Sequence, residues 1–76
     1  MEEGTRILVA DDDPQMQLAI KASLSRAGYD VTVAADGRAA LECFDRDSFE
    51  LVITDQKMPE LGGFELLAEV QARVSG

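Results

Sequence analysis

Three short apolar runs, each followed by a stretch of helical spacing, constrain this chain more than any other feature. The first, "RILVA" (Arg6 to Ala10), is continuously apolar after its arginine, as a strand buried on both faces would be. From Pro14 the period changes: Met16, Ile20 and Leu24 recur every four residues, and Ala19 and Ala27 widen the stripe. Asp13 is placed to cap that helix, Pro14 to be its first residue and Gly28 to end it. The second run, "YDVTVAA" (Tyr29 to Ala35), alternates with Val31 and Val33 on one face, the pattern of a strand nearer a sheet edge. Asp36 caps the helix that follows, whose buried face is Ala40, Leu41 and Phe44 with Cys43 packed on or near it. The third run, "FELVITD" (Phe49 to Asp55), has Leu51, Val52 and Ile53 at its centre. After the loop "MPELGG", a third helix is expected to bury Phe64, Leu67, Ala68, Gln71 and Val74, with Gly76 able to terminate it.

Strand and helix therefore alternate as βαβαβα, with about 25 residues per unit. Such alternation implies parallel strands, right-handed crossovers and helices on both faces of the sheet. The 76 residues suffice for one small domain, and 46% apolar with 29% charged residues is a globular composition. Neither repeats nor a low-complexity segment divide it.

Seven basic against fifteen acidic residues leave a net charge of −8, which disfavours nucleic acid and anionic lipid and suits a cation or a basic surface. A single cysteine, Cys43, cannot close an intramolecular disulfide, and no apolar run reaches the length of a membrane span. The start "MEEGTR" is unlike a signal peptide, so the expected location is the cytoplasm. With no histidine, the chain acting alone has no imidazole chemistry and no histidine-ligated metal.

The first run leads straight into Asp11, Asp12 and Asp13. Like charges so close repel one another, and something must reward the arrangement. In open α/β sheets, ligands bind outside the carboxyl ends of the strands. Asp11 and Asp12 lie just past the end of the first strand and Asp55 at the end of the third. If those strands are neighbours, about 5 Å apart, three carboxylates converge. A hard divalent cation would offset the repulsion, and oxygen-only ligands favour Mg²⁺ over zinc or copper. The competing reading makes these aspartates helix caps and solvated loop charges, and Asp13 belongs to it in either case. Two apolar runs that end in acid in the same way are more than capping needs.

Taken together, "ILVADDDPQM", "AADGRAAL" and "FELVITDQKMPELGGFELL" resemble, in order and spacing, the receiver domain of two-component response regulators. The resemblance implies a flavodoxin-like, doubly wound α/β fold with a parallel sheet ordered 2-1-3-4-5, here reduced to strands 2-1-3. It implies that Asp55 accepts a phosphoryl group from a sensor histidine kinase or a phosphotransfer protein. It further implies that Asp12 ligates Mg²⁺ directly, that Asp11 assists through water, and that the backbone carbonyl of Lys57 completes the protein ligands. Met58 and Pro59 would shape the loop presenting that carbonyl, while the Lys57 side chain takes no role from the family. Such a domain is a phosphoacceptor switch and not a multiple-turnover enzyme.

Residues 1–76 hold three of the family's five βα units. The family's hydroxyl residue on the fourth strand, and its aromatic switch residue and lysine associated with the fifth, have no counterpart here, so impaired phosphoryl transfer and switching are expected. Gly62 stands where the family often has aspartate, a change expected to alter the loop and not the site. The third strand would leave an apolar edge open to self-association. Two other readings stay open. One is a folding or assembly module with a vestigial acid pocket. The other is a haloacid-dehalogenase-like phosphatase, with Asp11 and Asp13 as its acid pair and Asp11 as nucleophile, which leaves "TDQKMP" unexplained.

Overall fold

The computed structural model describes residues 4–54 and 63–75, and the side chains of all of these except 63, 64 and 75. The elements follow as β1 (Arg6–Ala10), α1 (Pro14–Arg26), β2 (Asp30–Ala34), α2 (Gly37–Arg46), β3 (Leu51–Thr54) and α3 (Gly63–Ser75). The strands form one parallel sheet, as the alternation predicts, in the order β2-β1-β3 that the resemblance implies. Ile7, Leu8, Val9 and Ala10 of β1 are fully buried, which explains why this run carries no polar alternation. Ile7 and Val9 meet Val31, Val33, Leu51 and Ile53 beneath α1. Leu8 and Ala10 meet Ala34, Val52, Ala40 and Leu66 beneath α2 and α3.

Local signals set the helix ends. The Asp13 carboxylate accepts the Gln15 N–H at 3.0 Å, and Pro14 opens α1 where its missing N–H costs nothing. At the other end Gly28 takes φ +98°. Its N–H reaches the Ser25 carbonyl at 3.0 Å, and Tyr29 N–H reaches Leu24 at 3.1 Å, the paired bonds of a Schellman cap. Asp36 caps α2 by accepting the Ala39 N–H at 2.8 Å. Ala40 is buried there, with Leu41, Cys43 and Phe44 packed half-buried against the same cluster. Gly76 lies outside the described residues.

Two helix faces differ from expectation. In α1 only Ile20 and Leu24 pack on the core, while Met16, Ala19 and Ala27 stay exposed. The helix sits toward β2 and away from β3, leaving a cavity of about 370 Å³ lined by Ala19, Ile20, Ser23, Leu24 and Ile53. In α3 the expected stripe fails at Leu67, Ala68, Gln71 and Val74. Leu66 is 0% exposed and Val70 packs beside it, whereas Leu67 is 43% and Val74 70% exposed, and Ala68 and Gln71 face solvent. The Phe64 side chain lies outside the described set. The sequence "FELLAEVQARV" offers two stripes about one residue apart in rotation. The chosen stripe also brings Arg73 to α2, where its Nε meets Asp45 Oδ1 at 2.6 Å, while its Nη1 holds Glu69 Oε1 one turn back at 2.9 Å.

At the opposite end of the sheet from Asp11, Arg6 lies 5.2 Å over the Phe49 ring and within ion-pair distance of Asp30 and Asp47. Its backbone N–H donates to the Glu50 carboxylate. Such exposed ion pairs contribute little to stability.

Two measurements check this packing. Leu66→Ala is expected to cost about 2–5 kcal/mol in denaturant unfolding, whereas Leu67→Ala costs about 1 kcal/mol or less. A larger cost at Leu67 than at Leu66 would mean that the other stripe is the buried one. The hydrogen bond from Arg73 holds the Asp45 carboxyl below its ordinary value. A depressed carboxyl stabilises the fold above its unfolded value and loses that contribution as pH falls through the folded one. The difference in Tm between the protein and its Asp45→Asn variant is therefore present at neutral pH and narrows on acidification below the usual carboxylate range.

Candidate functional site

The register of the sheet decides what can meet at its carboxyl end. Ala10 is level with Ala34 on one side and with Thr54 on the other, so all three strands end together. Asp11 continues the ladder one step, its N–H donating to the Ala34 carbonyl at 3.0 Å. It is 8% exposed, the one buried charged residue among those described. Its Oδ1 accepts the Asp13 N–H at 2.9 Å, which offsets part of the cost of burial. Asp12 and Asp13 are exposed.

The three aspartates thus have separate positions: Asp11 is held inward, Asp13 is occupied as a cap, and Asp12 sits between them facing solvent. Capping and a ligand site are not exclusive here, because the cap uses only Asp13. Asp55 follows Thr54 directly in the sequence, but Asp55 and Lys57 lie outside the described residues, as do Met58, Pro59 and Gly62. Among the described residues no three acidic, histidine or cysteine side chains converge as a metal site. The two described candidates, Asp11 and Asp12, offer oxygen alone at one strand end. That suits a hard cation such as Mg²⁺ and not a metal seeking nitrogen or sulfur. Cys43 is packed against the core cluster from α2 and takes no part.

A residue that sequence reasoning missed also belongs to this loop. The Gln17 side chain reaches back from the first turn of α1, and its Nε2 donates to the Asp11 carbonyl at 2.5 Å. Its own N–H donates to the Asp13 carbonyl at 3.0 Å. Helical side chains lean toward the N-terminus, so a long amide four residues after a cap was the available signal.

No helix among the described residues is long and apolar enough to cross a membrane. The family model for the response regulator receiver domain matches residues 7–75. The sensor protein EvgS of Escherichia coli (strain K12) is 40% identical over 75 residues, which is 99% of this chain and 6% of that protein. The response regulator TrrA of Thermotoga maritima, solved in complex with Mg²⁺-BeF, superposes with a TM-score of 0.90 at 35% identity, covering 93% of this chain and 62% of that one. TrrA in complex with the histidine kinase ThkA gives 0.86 at 36% identity, over 91% of this chain and 60% of that one. The 76 residues therefore span about three fifths of these solved chains and a small part of EvgS. The order of the strands, the acidic loop after β1, the family match over nearly the whole chain and these likenesses agree: the chain belongs to the response regulator receiver domains of two-component systems.

Proposed function

We propose that Asp55 is the phosphoacceptor of this receiver, and that the carboxylates of Asp11, Asp12 and Asp55 with the Lys57 backbone carbonyl form its Mg²⁺ site. The observation that carries this reading is the level ending of β1 and β3, with Ala10 opposite Thr54 and acidic residues following each in sequence. Support also comes from TrrA, a relative in fold and sequence solved with Mg²⁺-BeF and with a histidine kinase. Mg²⁺, when bound, screens the negative charge that nucleophile and phosphoryl group share. An Asp55 carboxylate oxygen attacks the phosphorus of a phosphohistidine. The O–P bond forms as the P–N bond breaks, and the imidazole leaves and takes up a proton. Asp12 would supply a direct ligand, and Asp11 would assist through water.

The phosphoryl group stays on the protein and adds charge at one point, which is how a switch acts and how a multiple-turnover enzyme does not. Its donor is a sensor histidine kinase or a phosphotransfer protein, and its place is the cytoplasm.

Acetyl phosphate with Mg²⁺ tests the assignment by intact mass. The expected result is the mass gain of one phosphoryl group that needs Mg²⁺, disappears in Asp55→Asn and falls tenfold or more in rate in Asp12→Asn. A phosphoryl group that persists in Asp55→Asn and maps to Asp11 would overturn it in favour of the dehalogenase-like reading. Amide NMR shifts indifferent to Mg²⁺ would leave an assembly module with a vestigial pocket.

The same 76 residues are proposed to self-associate through β3. Among the described residues, β3 has a neighbouring strand on one side only. Glu50 N–H donates to the Arg6 carbonyl, so by alternation the backbone groups of Leu51 and Ile53 turn to the open side. A two-fold axis perpendicular to the sheet beside Val52 would pair Leu51 of one copy with Ile53 of the other, antiparallel, keeping apolar residues opposite one another on both faces. Light scattering at tens of micromolar should report a dimer, and a monodisperse monomer would overturn the pairing.

A further inference from the structure

Asp12 is exposed and lies between two residues that are each held in place. Asp11 is fixed by its N–H on the Ala34 carbonyl and by its carboxylate on Asp13. Asp13 is fixed by its cap on Gln15 and by its carbonyl on the Gln17 N–H. The peptide joining Asp11 to Asp12 carries one described anchor of its own, the Gln17 Nε2 donating to the Asp11 carbonyl. A peptide group is planar, so fixing that carbonyl also fixes the Asp12 N–H and the bond from nitrogen to the Asp12 Cα. Only two soft dihedrals then remain between this plane and the next.

From this geometry we infer that Gln17 is a positioning residue for the cation: it sets the Asp11–Asp12 peptide so that the Asp12 carboxylate is held ready to ligate Mg²⁺. The inference rests on the Mg²⁺ reading above and assigns to α1 a role that the acidic residues alone do not have. The chemistry of the side chain fits the task. An amide donates a hydrogen bond and brings no net charge. Glutamate at this place would add a further anion beside Asp11 and has no N–H to donate. Arginine or lysine would donate but would set a fixed positive charge beside the cation and oppose its binding. The amide also draws on the carbonyl's partial negative charge, where two carboxylates already crowd one loop.

Gln17 is anchored at both ends, by its backbone to Asp13 and by its side chain to Asp11, so it closes a ring around Asp12. Removing the side-chain bond opens that ring and leaves the helix cap, the Asp13 carboxylate on Gln15, untouched. The effect on cation binding is therefore separable from any effect on the helix.

The test compares the full 76-residue chain with Gln17→Met, which keeps the length of the side chain and loses the donor. Two readouts are taken on each. Without metal, the carbonyl-carbon shift of Asp11 reports the hydrogen bond, and it should move upfield in the variant while Tm stays the same. With Mg²⁺, amide shifts at Asp11 and Asp12 give Kd, which should weaken about tenfold, the range typical of groups that orient a metal ligand. A purely structural role would move Tm and leave Kd alone. If the parent chain binds Mg²⁺ and Gln17→Met binds it within twofold, the positioning role is overturned and the metal site stands. If the parent chain shows no Mg²⁺ response, the metal reading fails and the inference with it, and the Asp11 carbonyl shift still reports whether the bond exists.

Discussion

Everything in this fold depends on β1 being buried on both faces and paired on both edges. Ile7, Leu8 and Val9 each withdraw a large side chain from water, worth about 1.5–3 kcal/mol apiece before entropy is counted. A strand so enclosed has no place for charge until it ends. The acids therefore come at once after Ala10, at the first positions where water is within reach. The sheet continues one residue further, since Asp11 still donates to the Ala34 carbonyl. That last ladder bond is what draws a carboxylate inside the rim of the sheet.

Among the described residues, the bonds that hold the acidic loop come from backbone N–H groups and one side-chain amide. No arginine or lysine appears among the hydrogen-bond partners described for Asp11, Asp12 and Asp13. Instead N–H groups and one amide take up part of their acceptor capacity, which fixes geometry and leaves the net charge high. A loop built in this way keeps its attraction for a cation. An internal salt bridge would have satisfied the same carboxylates and spent that attraction. The sign of the whole chain, −8, acts in the same direction.

Much of the fold was legible in the sequence because its signals are local. Asp13, Pro14 and Gly28 delimit α1 through bonds that span only a few residues, and Asp36 does the same for α2. Parallel pairing followed from the alternation, and strand order from the family resemblance alone. The buried face of α3 was not legible, because "FELLAEVQARV" carries two apolar stripes and the choice between them rests on how Leu66 and Val70 meet the cluster of β1 and α2. Met16 and Ala19 failed as core positions for a similar reason: where α1 sits across the sheet is a tertiary matter. The placing of Asp11 and Asp12 just past a buried strand could be read from the sequence. Their different burial could not, since it depends on a bond to β2. Gln17 was missed because its role appears only when the helix turns its side chain back over the loop.

Among the described residues the two sides of the sheet are not equally secured. β1 is enclosed, while all four residues of β3 are only half-buried and α1 leans away from them. Beside β3, one cavity opens toward Ala19, Ile20, Ser23 and Leu24, and another of about 250 Å³ opens toward Phe44, Phe49, Leu67 and Val74. α3 is tied to α2 by Leu66 and by the exposed Arg73 pairs, a smaller set of bonds than joins β1 to its neighbours. Segments with few buried apolar contacts open at lower free energy than the core. The acids that follow β1 therefore stand at the end of the most enclosed strand of the described sheet.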